Sequence, residues 1–241
     1  MIALIGGRGN IARRYQAVLN YLEQPFRIID IGDSKSLLEG CEKAIIATPT
    51  DAHEEWCWEC SYLKIPFLCE KPLSKKKESI QAMMARDVVG YVVNNWAFVS
   101  TNFNGKAPTS LFYDFYNTGK DGLVWDVCQL ILLADKSNCS LEVRTDSYYW
   151  DAAWGEETIP YSAIEQSYMQ MIRAFVDGDT QKLWNLSDAY RMTDITDSIH
   201  KGLEGEECEG FCWNSGEKWF ETFPKEDFSD DREQRADQME L

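Results

Sequence analysis

Over the first hundred residues, short apolar runs alternate with stretches whose apolar residues recur every three or four positions. Met1 to Gly6 has the continuous apolar character of a strand buried on both faces, and Ile11, Tyr15, Val18, Leu19 and Leu22 follow at helical spacing. Phe26 to Ile31, Lys43 to Thr48 and Ile65 to Glu70 read as three further strands, with a helix over Ala52 to Leu63 between the last two. Asp51 with Glu54 resembles a capping box for that helix, and Ser74 is placed to cap the next, which runs to about Arg86. Val88 to Phe98 reads as a fifth strand. Strands that alternate with helices predict an α/β fold, a Rossmann-like doubly wound parallel sheet that receives ligands at the carboxyl ends of its strands.

Beyond about residue 98 the pattern changes. Ser110 to Asn117 and Ser140 to Trp150 are aromatic and β-branched without a helix after each, which predicts a second, mainly antiparallel sheet. Helices are expected over Leu123 to Ala134, Ser162 to Val176 and Ser187 to Leu203. The division is therefore 1–98 for a dinucleotide-binding domain, 99–203 for a smaller α+β domain, and 204–241 for an acidic, partly disordered tail. Phe211, Trp213, Trp219 and Phe220 could anchor the first part of that tail.

Charge narrows the choice of partner. The chain has 24 Lys and Arg against 40 Asp and Glu, a formal charge of −16, so it should repel nucleic acid rather than collect it. No apolar run approaches the roughly 18 residues of a membrane span, and no leader precedes the first strand, so a cytoplasmic location is expected. The eight cysteines then read as mostly reduced, buried thiols. Cys57 and Cys60 form a C-x-x-C inside a predicted helix rather than at its start, and Cys208 with Cys212 lacks a second pair to complete a zinc set. No metal site is expected.

Gly7-Arg8-Gly9-Asn10-Ile11-Ala12 is a G-x-G-x-x-A directly between a strand and an amphipathic helix. Gly7 would permit the tight turn, Gly9 the approach of a pyrophosphate to the helix N-terminus, and Ala12 the close packing of helix on strand. An acid at the end of the second strand would accept hydrogen bonds from the adenosine ribose. Asp30 and Asp33 compete for that role, and Asp33 could instead cap a helix starting at Ser34. A carboxylate there disfavours a 2′-phosphate, so NAD is preferred to NADP, with Arg8, Arg13 and Arg14 keeping the phosphorylated form open.

Cys69-Glu70-Lys71-Pro72 closes the fourth strand, and Thr48-Pro49-Thr50-Asp51-Ala52-His53 follows the third. In their residues and order these stretches resemble the E-K-P and T-P-x-x-x-H motifs of the glucose-fructose oxidoreductase, inositol dehydrogenase and MocA-like family. The resemblance implies that Lys71 sits beside the nicotinamide, binds substrate and assists proton transfer. It also implies that Thr48 and Pro49 line the nicotinamide side of the cleft, with Glu70 and Pro72 framing the lysine. His53 falls in the first turn of its helix, where a helix N-terminus disfavours imidazolium and a neutral hydrogen-bonding role is expected. The other histidine, His200, reads as a solvated residue near the end of the last helix.

Gly122 to Leu130 is similar to the family's helix bearing D-x-x-x-H, with Asp126 matched and Leu130 in place of the histidine. Gln129 is the nearest polar substitute, and it cannot exchange a proton as imidazole does. Either Lys71 works with Asp126, a tyrosine or water, or the reaction is a reduction with other proton demands, or the cleft binds cofactor without turnover. Asn94, Asn95 and Trp96 are further cleft candidates. The likeness resumes from Tyr161 to Leu203. The family usually has one more helix and strand before the T-P stretch, whereas only about a dozen residues separate Ile31 from Lys43 here.

The resemblance implies an NAD(P)-dependent oxidoreductase acting on a sugar, cyclitol or nucleotide-sugar-like small molecule, forming a homo-oligomer through an exposed apolar second sheet. Rival readings are a reductase of a tetrapyrrole or imine, a partner-binding protein that has lost turnover, and a methyl- or glycosyl-transferase using the same loop.

Overall fold

The computed structural model describes residues 1–86, 88–100, 106–114, 124–125, 127–144, 151–203, 208–214 and 219–224. Five parallel strands open the chain: β1 (Ile2–Ile5), β2 (Phe26–Ile29), β3 (Lys43–Ile46), β4 (Phe67–Cys69) and β5 (Gly90–Val92). They lie in the order β5-β4-β3-β1-β2, so the chain reverses direction across the sheet after β2. Every residue of β1 and β4 is buried, which accounts for their unbroken apolar sequence. The register aligns Ile29, Ile5, Ile46, Cys69 and Val92, so the residues after them line one carboxyl edge.

Helix α1 (Asn10–Tyr21) buries Ala12, Tyr15 and Leu19, and α2 (Thr50–Tyr62) buries His53, Trp56, Cys57 and Cys60. The expected cap of α2 is not formed. Pro49 holds the N-cap position without a side-chain bond, and Glu54 instead accepts from Ser74 Oγ at 2.5 Å and Ser79 Oγ at 2.9 Å. Ser74 likewise does not cap α3 (Lys77–Met84), whose N-cap is Lys76. The β2–β3 connection holds only a 3₁₀ turn, Lys35–Leu38, capped by Ser34. Among the described residues nothing lies beyond β2 in the sheet, so it forms an edge, and Ile28 and Ile31 are exposed.

The fifth strand is shorter than its sequence implies. It stops at Val92, and α4 (Asn95–Val99) follows, burying Trp96, Phe98 and Val99. Packing of these side chains overrides a β-rich composition.

The second half builds another sheet from β6 (Ser110–Asp114), β7 (Ser140–Arg144), β8 (Asp151–Trp154) and β9 (Glu157–Thr158). Helix α5 (Cys128–Ser137) packs on it and ends at Asn138 in the left-handed region. Then come α6 (Tyr161–Asp177), β10 (Trp184–Asn185) and α7 (Leu186–Gly202). β10 joins the first sheet antiparallel to β5, and α6 packs on α1 and α4 while α7 packs on α3 and β5. Lys43 Nζ donates to the Phe175 and Val176 carbonyls at 2.8 and 2.7 Å, satisfying the carboxyl end of α6.

Composition placed residues 208–224 in an acidic tail, yet they supply β11 (Cys208–Asn214) and β12 (Trp219–Pro224). The second sheet then runs β12-β11-β7-β6-β8-β9, parallel only between β6 and β7. Phe211 and Trp213 are buried in its core, as the anchoring role of those aromatics requires. By register Phe112, Glu142, Ala153 and Cys212 share the opposite face, and Arg144 bonds Glu142 there. At these described positions the face carries polar and apolar side chains together.

Candidate active site

The glycine turn joins β1 to α1 at the carboxyl edge. Its left-handed residue is Gly6, at φ +77°, rather than Gly7. A Cβ on Gly6 would lie 2.7 Å from the backbone of Ala47 and Thr48, so the turn is pressed against the end of β3. Gly7 is held by a different constraint, since its Cβ would meet Ile28 Cγ2 at 2.6 Å. Gln16 Nε2 donates to the Gly7 carbonyl at 2.5 Å. Arg8, Gly9 and Asn10 are exposed and Ile11 is half-buried, leaving the start of α1 open to a ligand.

The two competing acids are held differently. Asp30 Oδ2 accepts the Arg8 N–H at 2.9 Å and Oδ1 accepts the Ile31 N–H at 2.8 Å. Asp33 turns back to accept the Asp30 N–H at 2.8 Å, while Ser34 caps the 3₁₀ turn. Asp30 is the carboxylate that touches the glycine turn. Arg14 points elsewhere: its guanidinium stacks 4.6 Å from the Tyr168 ring centroid and donates to Tyr161 Oη at 3.1 Å. Burial works against its charge, but the neighbouring phenols of Tyr168, Tyr161 and Tyr15 outweigh it and raise the pKa.

Thr48 is buried at the end of β3 with no partner for its Oγ1 among the described residues, and Pro49 is exposed beside it. His53 lies beneath them, 1% exposed. Its Nε2 is 2.8 Å from the Thr48 carbonyl and its Nδ1 is 2.8 Å from the Pro72 carbonyl. Both ring nitrogens face backbone carbonyls, so His53 ties the turn after β3 to the turn after β4.

Glu70 is also turned inward, at 7% exposed. Its carboxylate accepts from the Tyr15 hydroxyl and, at 3.1 Å, from the Lys71 N–H. Lys71 follows at the carboxyl edge, half-buried, joined to Pro72 by a cis peptide bond. The role of Tyr15 could not be read from the sequence, where it occupied an apolar position of an amphipathic helix. Ser74 is a second such residue, accepting the Lys76 N–H at 2.8 Å while its carbonyl accepts from Thr193 Oγ1 at 2.8 Å.

The second-half candidates fare unevenly. Asp126 lies outside the described residues. Gln129 is buried at 3% exposed with Oε1 unpartnered among the described residues, and Leu130 is buried beside it. The Asn94 and Asn95 amides donate to the Lys182 carbonyl at 2.7 Å and to Ser167 Oγ at 3.1 Å, tying α4 to neighbouring segments, and their Oδ1 atoms are buried with no partner among the described residues. Trp96 is buried against Tyr113, with ring centroids 5.4 Å apart. Cys57 and Cys60 are buried in α2, and burial pushes the Cys60 thiol well above its usual value, so neither has the exposed thiolate of a redox pair. Among the described residues no group of three or more His, Cys, Asp or Glu could hold a metal. No helix among them is long and apolar enough to cross a membrane.

A glycine cradle, an orphan hydroxyl at Thr48 and an acid on the turn together suit a dinucleotide. A Cβ on Gly9 would come within 3.3 Å of the Gly6 carbonyl oxygen, so even a methyl would crowd the turn. Doubly wound sheets of this kind, followed by a second sheet, define a class of two-part nucleotide-binding folds.

Within that class the fold is that of Gfo/Idh/MocA oxidoreductases. A probable dehydrogenase from Thermotoga maritima superposes with a TM-score of 0.64 at 13% identity, covering 83% of this chain and 95% of that one. A Gfo/Idh/MocA family oxidoreductase from Vibrio cholerae gives 0.62 at 13% identity, covering 84% and 97%. The WlbA (WbpB) dehydrogenase from Thermus thermophilus, in complex with NAD and UDP-GlcNAcA, gives 0.61 at 14% identity, covering 83% and 94%. No family model matches the sequence, and no curated protein is similar to it.

Proposed function

We propose that the chain is an NAD(P)-dependent oxidoreductase that moves a hydride between nicotinamide and a carbonyl or alcohol carbon of a small molecule. The observation that carries this reading is the alignment of Asp30, the Gly6–Gly9 turn, Thr48 and Lys71 along one sheet edge. From β2 to β4 that edge spans three strand spacings, about 14 Å, enough for an extended dinucleotide. Gly7, Arg8, Gly9, Asn10 and Ile11 would hold the pyrophosphate at the start of α1, and Asp30 the adenosine ribose. Thr48 and Pro49 would flank the nicotinamide end. The Asp30 carboxylate favours NAD over a 2′-phosphorylated cofactor.

When bound, the cofactor supplies or accepts the hydride. Lys71 Nζ holds the substrate oxygen: as an ammonium it gives a proton to a carbonyl being reduced, and as an amine it takes one from an alcohol being oxidised. The Glu70 carboxylate beneath it keeps the turn in place. Nucleotide sugars are the first substrates to test, since one neighbour of this fold was solved with NAD and UDP-GlcNAcA.

Lys71→Ala tests the assignment. Turnover of NAD(P)H with a panel of nucleotide sugars, sugar acids and cyclitols should fall by about 10² or more. Cofactor affinity by calorimetry should stay within about threefold, because Lys71 is not among the groups assigned to the phosphates or ribose. Equal turnover by variant and parent removes Lys71 from the chemistry. Cofactor binding with no turnover by the parent on any substrate favours the non-catalytic reading, to which the buried Leu130 at the family's histidine position also points.

A further inference from the structure

We infer that Tyr15 is a positioning residue for Lys71, acting through Glu70. The inference rests on the reading of Lys71 as the proton-exchanging group. Tyr15 lies in the second turn of α1 and is wholly buried. A tyrosine needed only to fill space could be a phenylalanine, since a buried hydroxyl must find a partner. Here that partner is the carboxylate immediately before the candidate catalytic lysine.

Glu70 is gripped at several points. Tyr15 Oη donates to Oε1, the Lys71 N–H donates to Oε2 at 3.1 Å, and the Glu70 N–H donates to the Ile46 carbonyl at 2.8 Å. The first two fix the side chain across the Glu70–Lys71 peptide, and the third fixes the preceding Cys69–Glu70 peptide to β3. Together they set the direction in which the Lys71 side chain leaves the strand end. Without the Tyr15 hydroxyl, Oε1 loses a donor in a place closed to water. The carboxylate must then re-aim, and its hold on the Lys71 amide goes with it.

The donor is permanent. Burial first, and then the Glu70 and Tyr168 charges, hold the Tyr15 phenol well above its ordinary pKa. It therefore stays protonated through the neutral range. The Tyr15 ring packs on Tyr168 with centroids 6.1 Å apart, and Arg14 covers Tyr168 in turn. The clamp is thus braced by α6, an element from the other half of the chain.

The test compares Tyr15→Phe with Tyr168→Phe, each of which removes one hydroxyl from the same buried cluster while keeping its ring. The first readout is amide hydrogen exchange of the full chain, resolved residue by residue. In Tyr15→Phe the Lys71 amide should exchange at least about tenfold faster, with Ile46 and Val93 unchanged. In Tyr168→Phe it should stay within about twofold of the parent. The second readout is NADH turnover, where Tyr15→Phe should lower kcat about tenfold and leave the KM for NADH unmoved.

Equal exchange of the Lys71 amide in parent and Tyr15→Phe overturns the inference, as does equal acceleration in both variants, which marks general loosening. The exchange result needs no substrate. If Lys71→Ala leaves turnover intact, the catalytic reading fails separately from the clamp.

Discussion

The His53 imidazole joins two strand ends, its Nε2 2.8 Å from the Thr48 carbonyl and its Nδ1 2.8 Å from the Pro72 carbonyl. This one ring ties the turn after β3 to the turn that carries Lys71. His53→Ala would remove this bridge between the two buried turns, take away the one N–H a neutral ring offers their carbonyls, and open a cavity between α2 and the strand ends. The expected loss is about 2–4 kcal/mol, which for a chain of this size lowers Tm by roughly 5–10 °C. Thermal unfolding by circular dichroism measures it. A Tm within a degree of the parent means that the bridge contributes nothing.

Gly6 and Gly7 should respond differently to alanine. At Gly6 the added methyl meets backbone at 2.7 Å and the residue must keep φ +77°, so neither the contact nor the conformation can relax locally. At Gly7 the obstacle is the Ile28 side chain, which lies half open on an edge strand and can turn away. Gly6→Ala should abolish dinucleotide binding by calorimetry, whereas Gly7→Ala should weaken it less than about tenfold. The reverse ranking would contradict the assignment of the tight turn to Gly6.

Asp30→Asn keeps one acceptor beside the Arg8 amide but removes the charge. NAD affinity should fall about tenfold, and the preference for NAD over NADP should shrink by at least that factor, because a 2′-phosphate no longer meets a carboxylate. Competitive fluorescence titration with both cofactors gives the ratio. An unchanged ratio places some other group at the ribose.

The parallel strands of the first half were legible because buried parallel strands produce unbroken apolar runs and because turn glycines mark the strand ends. What the sequence hid are contacts that depend on tertiary neighbours. Tyr15 stood at an apolar helical position, and nothing near it in the chain reveals that Glu70 lies opposite. That Asp30 and not Asp33 meets the Arg8 amide depends on the fold of the glycine turn. The α4 helix lay inside a run rich in valine and aromatics, and burial of Trp96, Phe98 and Val99 decided its conformation. Acidic composition hid β11 because a strand buried on one face spends only alternate residues, here Phe211 and Trp213, on the core.

That last point predicts the effect of truncation. Ending the chain after Leu203 removes β11 and β12, uncovers the edge of β7 and strips Phe211 and Trp213 from the core. Loss of two buried aromatics at about 3–5 kcal/mol each approaches the whole stability of a domain. The truncated chain should aggregate or bind a hydrophobic dye where the parent does not. A monomeric, cooperatively unfolding product in size-exclusion and thermal analysis would show the two strands to be dispensable.

Stability should also fall on the alkaline side. Burial, then the Glu70 charge, raises the Tyr15 phenol well above its ordinary 10.0, and burial with Glu70 raises Tyr168. Burial likewise lifts the Cys139 thiol from 9.0 to about 11. Each group prefers its neutral form in the folded chain and ionises more readily once unfolded. Between the unfolded and folded pKa values the unfolded chain therefore binds fewer protons, and stability declines as pH rises. The contribution of Cys139 is present below pH 9.0 and lost by about 11, and that of the tyrosines begins to fall near 10.0. Urea midpoints measured from pH 8 to 11 should drop steadily. In Tyr168→Phe the decline above pH 10 should be shallower, because one of the two buried phenols no longer titrates; an identical slope would mean that Tyr168 ionises in place.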